Sequence, residues 1–395
     1  MVQVSKVRRN SASNRLTLLT VGILLSMFLP LLSASAVLTT WTKHESARNW
    51  SDVASSADGK KLIAAVNGGQ IYTSSDYGAT WTAHESVRNY FSVASSSDGK
   101  RLVAVATTAQ IYTSSDAGVT WTARESNRGW VGVASSADGK KLAAVTVLGK
   151  IYTSADFGAT WAERDSARQW VGLASSSDGA KLVATAFRGH IYTSTDSGVT
   201  WVPRESVRDW EEVASSSDGR KLVAIAPYDF IYTSADSGAT WVPRGKKGLW
   251  KDIASSADGK RLVAAELGGG QIYSSHDYGA SWVPVVTDSS HLWHRIAISS
   301  DGIRIVAVAV NDGIYTSIDT GKISIKGTVT IKKVFGANYI AIFSNAPDTE
   351  YAVVATKTGS KAITFTGKTA GNGAASIKLK QNLVGYKLSL KIPSK

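Results

Sequence analysis

Five arginines recur at 40-residue intervals, Arg48, Arg88, Arg128, Arg168 and Arg208. Each stands three residues after an acid (Glu45, Glu85, Glu125, Asp165, Glu205) and two before an aromatic, which is Trp50, Trp130, Trp170 or Trp210 in four copies and Tyr90 in one. A guanidinium fork binds a carboxylate bidentately and an indole face stacks on a sugar or a cation, so a ring of both suits an acidic glycan or a peptide carboxylate. The same residues also serve structure: acid and Arg pair between neighbouring repeats, and the Trp packs where repeats meet. A feature present in most repeats usually serves the repeat.

The copies differ mainly at residues 67–69, 107–108, 147–149, 187–190, 227–230 and 267–270. Loops that vary while their scaffold stays constant are where specificity is written. Phe187, Arg188, His190, Tyr228 and Asp229 come from adjacent copies and are candidates for one binding patch, with drift in exposed loops as the alternative. Metal chemistry has little footing: His291 and His294 are the only close histidine pair, and no carboxylate stands at a ligand spacing. The sequence has 0 Cys, which excludes disulfides, thiolate zinc sites and a cysteine nucleophile. No catalytic residue, metal or cofactor is assigned.

The elements that position these residues are read from one stretch, Ile71-Tyr-Thr-Ser-Ser-Asp-Tyr-Gly-Ala-Thr-Trp81, which returns from Ile111, Ile151, Ile191, Ile231 and Ile272 and incompletely from Ile314. Its Asp accepts hydrogen bonds from the turn's own N–H groups, its Gly supplies a positive φ, and its Trp returns into the core on the next strand. Around it each repeat parses into four strands, in the first copy 50–55, 62–66, 71–74 and 80–85, with an Asp-Gly turn between the first two. First strands begin at Trp50, Tyr90, Trp130, Trp170, Trp210, Trp250 and Trp293, hence seven units. The last lacks a fourth strand, while 39–45 matches 79–85 almost residue for residue with no unit before it. That segment is predicted to complete the last unit and close a ring, which removes two open sheet edges.

Ser-x-Asp-x-Gly-x-Thr-Trp, with Asp76, Asp116, Asp156, Asp196, Asp236, Asp277 and Asp319 at the Asp position, resembles the Asp-box (BNR) repeats of sialidase-like and related β-propellers. The last copy departs from the pattern, with Ile323 and Ser324 in place of Thr-Trp. The resemblance implies that the box is a structural turn. It also implies that ligands sit on the face formed by the second-to-third and fourth-to-first loops. A sialidase would need three converging arginines, a Tyr nucleophile activated by a carboxylate, and an Asp acid. The arginines are available, but Tyr72, Tyr112, Tyr152, Tyr192, Tyr232, Tyr273 and Tyr315 are each the third-strand aromatic of a repeat. Near-identical copies lack the asymmetry of a hydrolytic site and favour repeated weak contacts.

Of 395 residues 43% are hydrophobic and 19% charged, enough for a sizeable core. The net charge of +13 is uneven: 1–36 carries +4, 322–395 carries +10 through 12 lysines, and the repeats between carry −1. The repeats are therefore not a nucleic-acid-seeking surface. Residues 1–36 read as a signal peptide, with basic residues to Arg15, an apolar run at 16–32 and Ala34-Ser-Ala36 for cleavage; an uncleaved anchor is the alternative.

The expected architecture is all-β: a signal peptide at 1–36, a seven-bladed propeller at 37–321 closed by its N-terminal strand, and a small basic Ig-like β-sandwich at 322–395. The expected function is non-catalytic binding or scaffolding by an exported protein in the periplasm, at the cell surface or outside the cell. Its ligand is a glycan or a protein, and its C-terminal lysines suit an anionic cell-wall or membrane surface. The alternatives are a sialidase-like hydrolase and an assembly factor for a membrane complex, similar to the photosystem II stability factor.

Overall fold

The computed structural model describes residues 41–268, 270–286 and 291–319, together with the backbone of strands Tyr339–Phe343, Glu350–Thr356, Ile363–Lys368, Ala374–Lys378 and Lys387–Lys391. The signal-peptide reading of 1–36 and the opening residues 322–338 of the expected β-sandwich lie outside the described residues.

All described elements are strands, and the repeat explains why. In the second strand of the first unit Leu62, Ile63, Ala64, Ala65 and Val66 are all buried, so both faces of the sheet are covered. Such a run has no polar face for water and carries β-branched residues that pack well on a pleated surface. It pairs antiparallel with the first strand (Val53 opposite Ala64), and the third strand pairs with the fourth (Tyr72 opposite Ala83).

The Ser-x-Asp turn closes each third-to-fourth hairpin. Thr80 donates its N–H to Asp76 Oδ1 (2.9 Å) and its hydroxyl to Oδ2 (2.6 Å), while Ser74 donates to Oδ1 and accepts from the Gly78 N–H. Gly78 sits at φ 88°, and a Cβ there would meet Thr316 Cγ2 of the neighbouring unit at 2.8 Å, so both backbone and space require glycine. These donors hold the carboxyls of Asp76, Asp116, Asp156, Asp196 and Asp236 at about 2, below the ordinary 3.8. A depressed folded-state pKa adds stability above the unfolded value, so this contribution is complete above about pH 4 and is lost as the pH falls toward 2. Asp236→Ala is expected to cost about 1–2 kcal/mol and to flatten acid unfolding over that window, read by Trp fluorescence.

One expectation needs correcting. The fourth strand does not end in a loop at residue 85: Thr82–Ser95 is one continuous strand that leaves one unit and opens the next. Ile71 faces His84 while Gly69 faces Arg88, so four residues on one strand match two on the other, and Glu85 takes the slack at φ 63°. The presumed fourth-to-first loop is thus a bulged, ladder-bonded flap.

In the last unit Trp293–Ile298 pairs with Arg304–Ile318, which pairs in turn with Trp41–Ser55, Trp41 standing opposite Ser317 and His44 opposite Ile314. Units pack face to face. Trp50, Val53, Leu62 and Tyr72 of the first share a core with Val306, Val308 and Ile314 of the last. A backbone circuit links the first-to-second turns: Ala57 N–H donates to Ser97 O, and so on through Ala137, Ser177, Ser217, Ala257 and Ser300, whose N–H returns to Ala57 O, each at 2.8–2.9 Å.

Beyond residue 338, Glu350–Thr356 pairs antiparallel with Ile363–Lys368 and Lys387–Lys391, and Tyr339–Phe343 pairs with Ala374–Lys378.

Candidate functional site

The flap arginines are placed by the bulge. With the acid in a left-handed conformation, the Arg three residues later folds back on it: Arg48 on Glu45 at 3.0 Å, Arg128 on Glu125 at 3.3 Å, Arg208 on Glu205 at 3.4 Å, Arg168 on Asp165 at 3.5 Å and Arg88 on Glu85 at 3.7 Å. All five pair within their own flap, and the expected pairing between repeats is present at two of them, Arg208 with Asp229 at 3.2 Å and Arg128 with Glu163 at 3.9 Å. Each guanidinium lies over the third-strand tyrosine of the following unit: Arg48 over Tyr72, Arg88 over Tyr112, Arg128 over Tyr152, Arg168 over Tyr192 and Arg208 over Tyr232, at 4.4–4.8 Å from the centroid. Lys246 over Tyr273 (4.8 Å) and His291 beside Tyr315 (4.9 Å) take the same place in the last two junctions. An acid on one side and a π face on the other occupy most of each cation's capacity.

The indoles are a correction. Trp50, Trp130, Trp170 and Trp210 are 0% exposed and stand edge-on against the same tyrosines at 5.0–5.2 Å, so they pack where units meet and offer no stacking face to a ligand. Tyr152, Tyr232 and Tyr315 each donate their hydroxyl to a carboxylate, Glu163 at 3.0 Å, Asp229 at 3.0 Å and Asp312 at 2.9 Å. Burial and a hydrogen bond to Asp229 push Tyr232 up to about 12, and burial with Asp312 does the same for Tyr315. A carboxylate beside a tyrosine hydroxyl can serve as its general base, while the raised values keep both hydroxyls protonated at rest.

The loop candidates divide. Asp229 is consumed by Arg208 (3.2 Å), Lys247 (3.4 Å) and the Tyr232 hydroxyl (3.0 Å). His190 bonds the Glu205 carbonyl at 2.6 Å, and Phe187 is half-buried. Arg188 and Tyr228 are exposed, Tyr228 by 75%, and between them and the third unit's Leu148, 73% exposed, they form the open part of this face. Gly68, Thr108, Leu148, Arg188, Tyr228 and Asn311 occupy one equivalent position, three residues before the third-strand Ile, and all have φ between 52° and 74°.

A second cluster lies at the third residue of the first strands, where the units converge: Asp52, Ser92, Gly132, Gly172, Glu212, Asp252 and Arg295. Arg295 reaches Glu212 at 2.7 Å, two units away in the repeat order, and Asp252 at 3.5 Å. Asp52 accepts the N–H groups of Val53 and Val93, binding one unit to the next. A Cβ at Gly172 would meet Glu212 Oε1 at 2.7 Å, so that glycine makes room for the carboxylate. Burial raises Asp52, Glu212 and Asp252 above their ordinary values against the pull of the single guanidinium. His294 is driven down to about 3 by burial and then by Arg295 and Lys251, and as the neutral ring donates Nδ1–H to Ser51 O. The sequence signal was present: within a frame of an aromatic, two variable residues, an aliphatic and Ala, the third position carries Asp, Ser, Gly, Glu or Arg. Among the described residues no group of His, Cys, Asp and Glu could hold a metal ion.

No protein-family model matches the sequence, and no curated protein does. Solved structures do match. YCF48 from Cyanidioschyzon merolae is similar over 73% of this chain and 100% of its own, at 16% identity and a TM-score of 0.57. A streptogramin B lyase is similar over 72% of this chain and 100% of its own (15%, TM-score 0.60). The Swd1 β-propeller domain from Myceliophteria thermophila is similar over 71% of this chain and 100% of its own (14%, TM-score 0.58). YCF48 has also been solved bound to a D1 peptide, and that complex is similar over 72% of this chain and 100% of its own (16%, TM-score 0.58). At these identities the likeness establishes a β-propeller fold, one that carries binding proteins and a lyase alike.

Proposed function

We propose that the chain is a seven-bladed propeller of Asp-box type that binds a segment of another protein without transforming it, as a docking or assembly factor. In this reading 1–36 exports it, 37–321 forms the propeller and 322–395 is a basic β-sandwich accessory. The circuit of turn hydrogen bonds returning to Ala57, and the pairing of Trp41 with Ser317, support the closed ring.

The observation that carries the function is the row of turn tips. Thr108, Leu148, Arg188 and Tyr228 hold a left-handed backbone that costs an L-residue roughly 1–2 kcal/mol, where Gly68 holds it freely. Strain retained at exposed side chains, on a face whose other charges are already paired, supports a contact role for those side chains. They differ in chemistry from unit to unit, which suits a protein segment with a defined side-chain sequence. The YCF48 complex with a D1 peptide supports a protein ligand for this fold.

The test separates binding from folding. The triple variant Leu148→Gly, Arg188→Gly, Tyr228→Gly is expected to be as stable as the parent or about 0.5–1 kcal/mol more stable in urea, and to lose the partners that the parent co-purifies from a membrane extract. An unchanged partner set would remove this face from the account. Capture of glycans on an array, lost with the same substitutions, would transfer the face to glycan recognition.

A further inference from the structure

A second row of basic side chains lies beside the first, and its arginines carry no ion pair. The residue immediately before the flap-acid position, which is Gly245 in one copy, is His44, His84, Arg124, Arg164, Arg204 or Arg244. Each arginine of this row faces the third-strand Ile of its unit, as in Ile111 opposite Arg124 and Ile191 opposite Arg204. Each donates Nε to a threonine on the third strand: Arg124 to Thr113 (3.1 Å), Arg164 to Thr153 (2.9 Å), Arg204 to Thr193 (2.9 Å) and Arg244 to Thr233 (3.2 Å). All four are half-buried, and among the described residues none has a carboxylate within ion-pair distance. The acid facing the row is the turn Asp of the next unit, Asp116 in the case of His84, and it already holds the Thr120 N–H and hydroxyl.

Arg124, Arg164 and His84 line clefts between consecutive units. The cleft at Arg164 has a volume of about 300 Å³ and is walled by Thr153, Thr160, Trp161 and Ser175. The one at His84, about 350 Å³, has Thr73, Thr80, Thr82 and Ser95 in its wall. At Arg124 the space narrows to about 80 Å³ where Arg101 lies over the Phe157 ring. The clefts at Arg124 and Arg164 thus combine a half-desolvated guanidinium with a rim of hydroxyls, which donate and accept as sugar hydroxyls do, whereas burial lowers His84 and leaves a neutral ring in the cleft there.

We propose that the clefts bind a polyanionic polysaccharide, one carboxylate or sulfate group to each guanidinium, with sugar hydroxyls on the Ser and Thr rims. A guanidinium with its Nη groups free takes a planar or trigonal oxyanion through two parallel bonds. The same chemistry repeated from unit to unit fits a ligand that repeats its own charge, and linked weak sites multiply into a usable affinity. The clefts are built from turn residues at the opposite end of the units from the tips, so the two sites stand or fall separately.

The 12 lysines of 322–395 would bind any polyanion weakly, and the experiment must separate them. With the full chain, calorimetric titration uses heparin as the sulfated probe, polygalacturonate as the carboxylated one and dextran as the neutral one. The variant Arg124→Gln, Arg164→Gln, Arg204→Gln, Arg244→Gln is expected to weaken binding of at least one polyanion tenfold or more. The same four changed to Lys keep charge, lose the fork and weaken it severalfold. Lys326→Gln, Lys332→Gln, Lys333→Gln, Lys357→Gln removes equal charge and is expected to change it less than twofold. Equal losses in the cleft and lysine variants, or dextran binding as well as the polyanions, overturn the proposal. Should the Gln variant fail to fold, parent-like affinity in the Lys variant overturns it equally.

Discussion

Arg295→Met is expected to lower the stability of the folded chain by about 3–5 kcal/mol, the cost of leaving buried charge without its partner. The guanidinium is the one cation inside a cluster holding Asp52, Glu212 and Asp252, with Glu211, Lys251 and His294 around it. Without it, carboxyls taken from water must either stay ionised among like charges or hold protons at neutral pH. Urea unfolding followed by Trp fluorescence reads the loss, and a midpoint within error of the parent would mean that the cluster is not closed around Arg295. The pH sign distinguishes this site from the turns. Burial raises Glu212 above its ordinary 4.5, so the folded state holds the proton longer and stability falls as pH rises from about 4.5 toward the folded value. Glu212→Gln is expected to flatten that slope, whereas Asp236→Ala alters only the acid limb.

Removing residues 1–49 is expected to have the larger consequence. The segment 41–49 is the partner of 310–317, and its Trp41 packs on Trp293 at 5.6 Å while Lys43 and His44 bond Asp312 and Thr316. Deletion opens a sheet edge and uncovers Tyr315 and Trp293, a loss of about 5–8 kcal/mol from ladder bonds and apolar burial, comparable with the whole stability of a domain. The truncated chain is expected to aggregate or to melt without cooperativity, and a peptide of residues 38–49 added in trans to restore solubility and the parent melting curve. A monomeric truncated chain with an unchanged melt would show that the fold does not depend on its first strand.

Short-range features were legible from composition and spacing. Leu62–Val66 declares a doubly covered strand because a run without polar residues has nowhere else to go, and Ser74, Asp76, Gly78 and Thr80 declare a turn because all its bonds close within seven residues. The flaps were misjudged for a related reason. Glu85 and Arg88 look like loop residues, and only the bulge opposite Gly69 keeps them in a ladder.

What the sequence alone determined was the repeat: its strands, its turns, the copy at 39–45 awaiting a partner, and the positions where the units differ. What the tertiary structure decided was convergence. Arg128 has its neighbour Glu125 and the next unit's Tyr152 as partners, Arg124 has no acid, and Arg295 meets Glu212 across 83 residues of chain. Periodicity fixes which face of a strand a side chain occupies. Which faces meet depends on how successive sheets are turned against one another, and that follows from the packing between them.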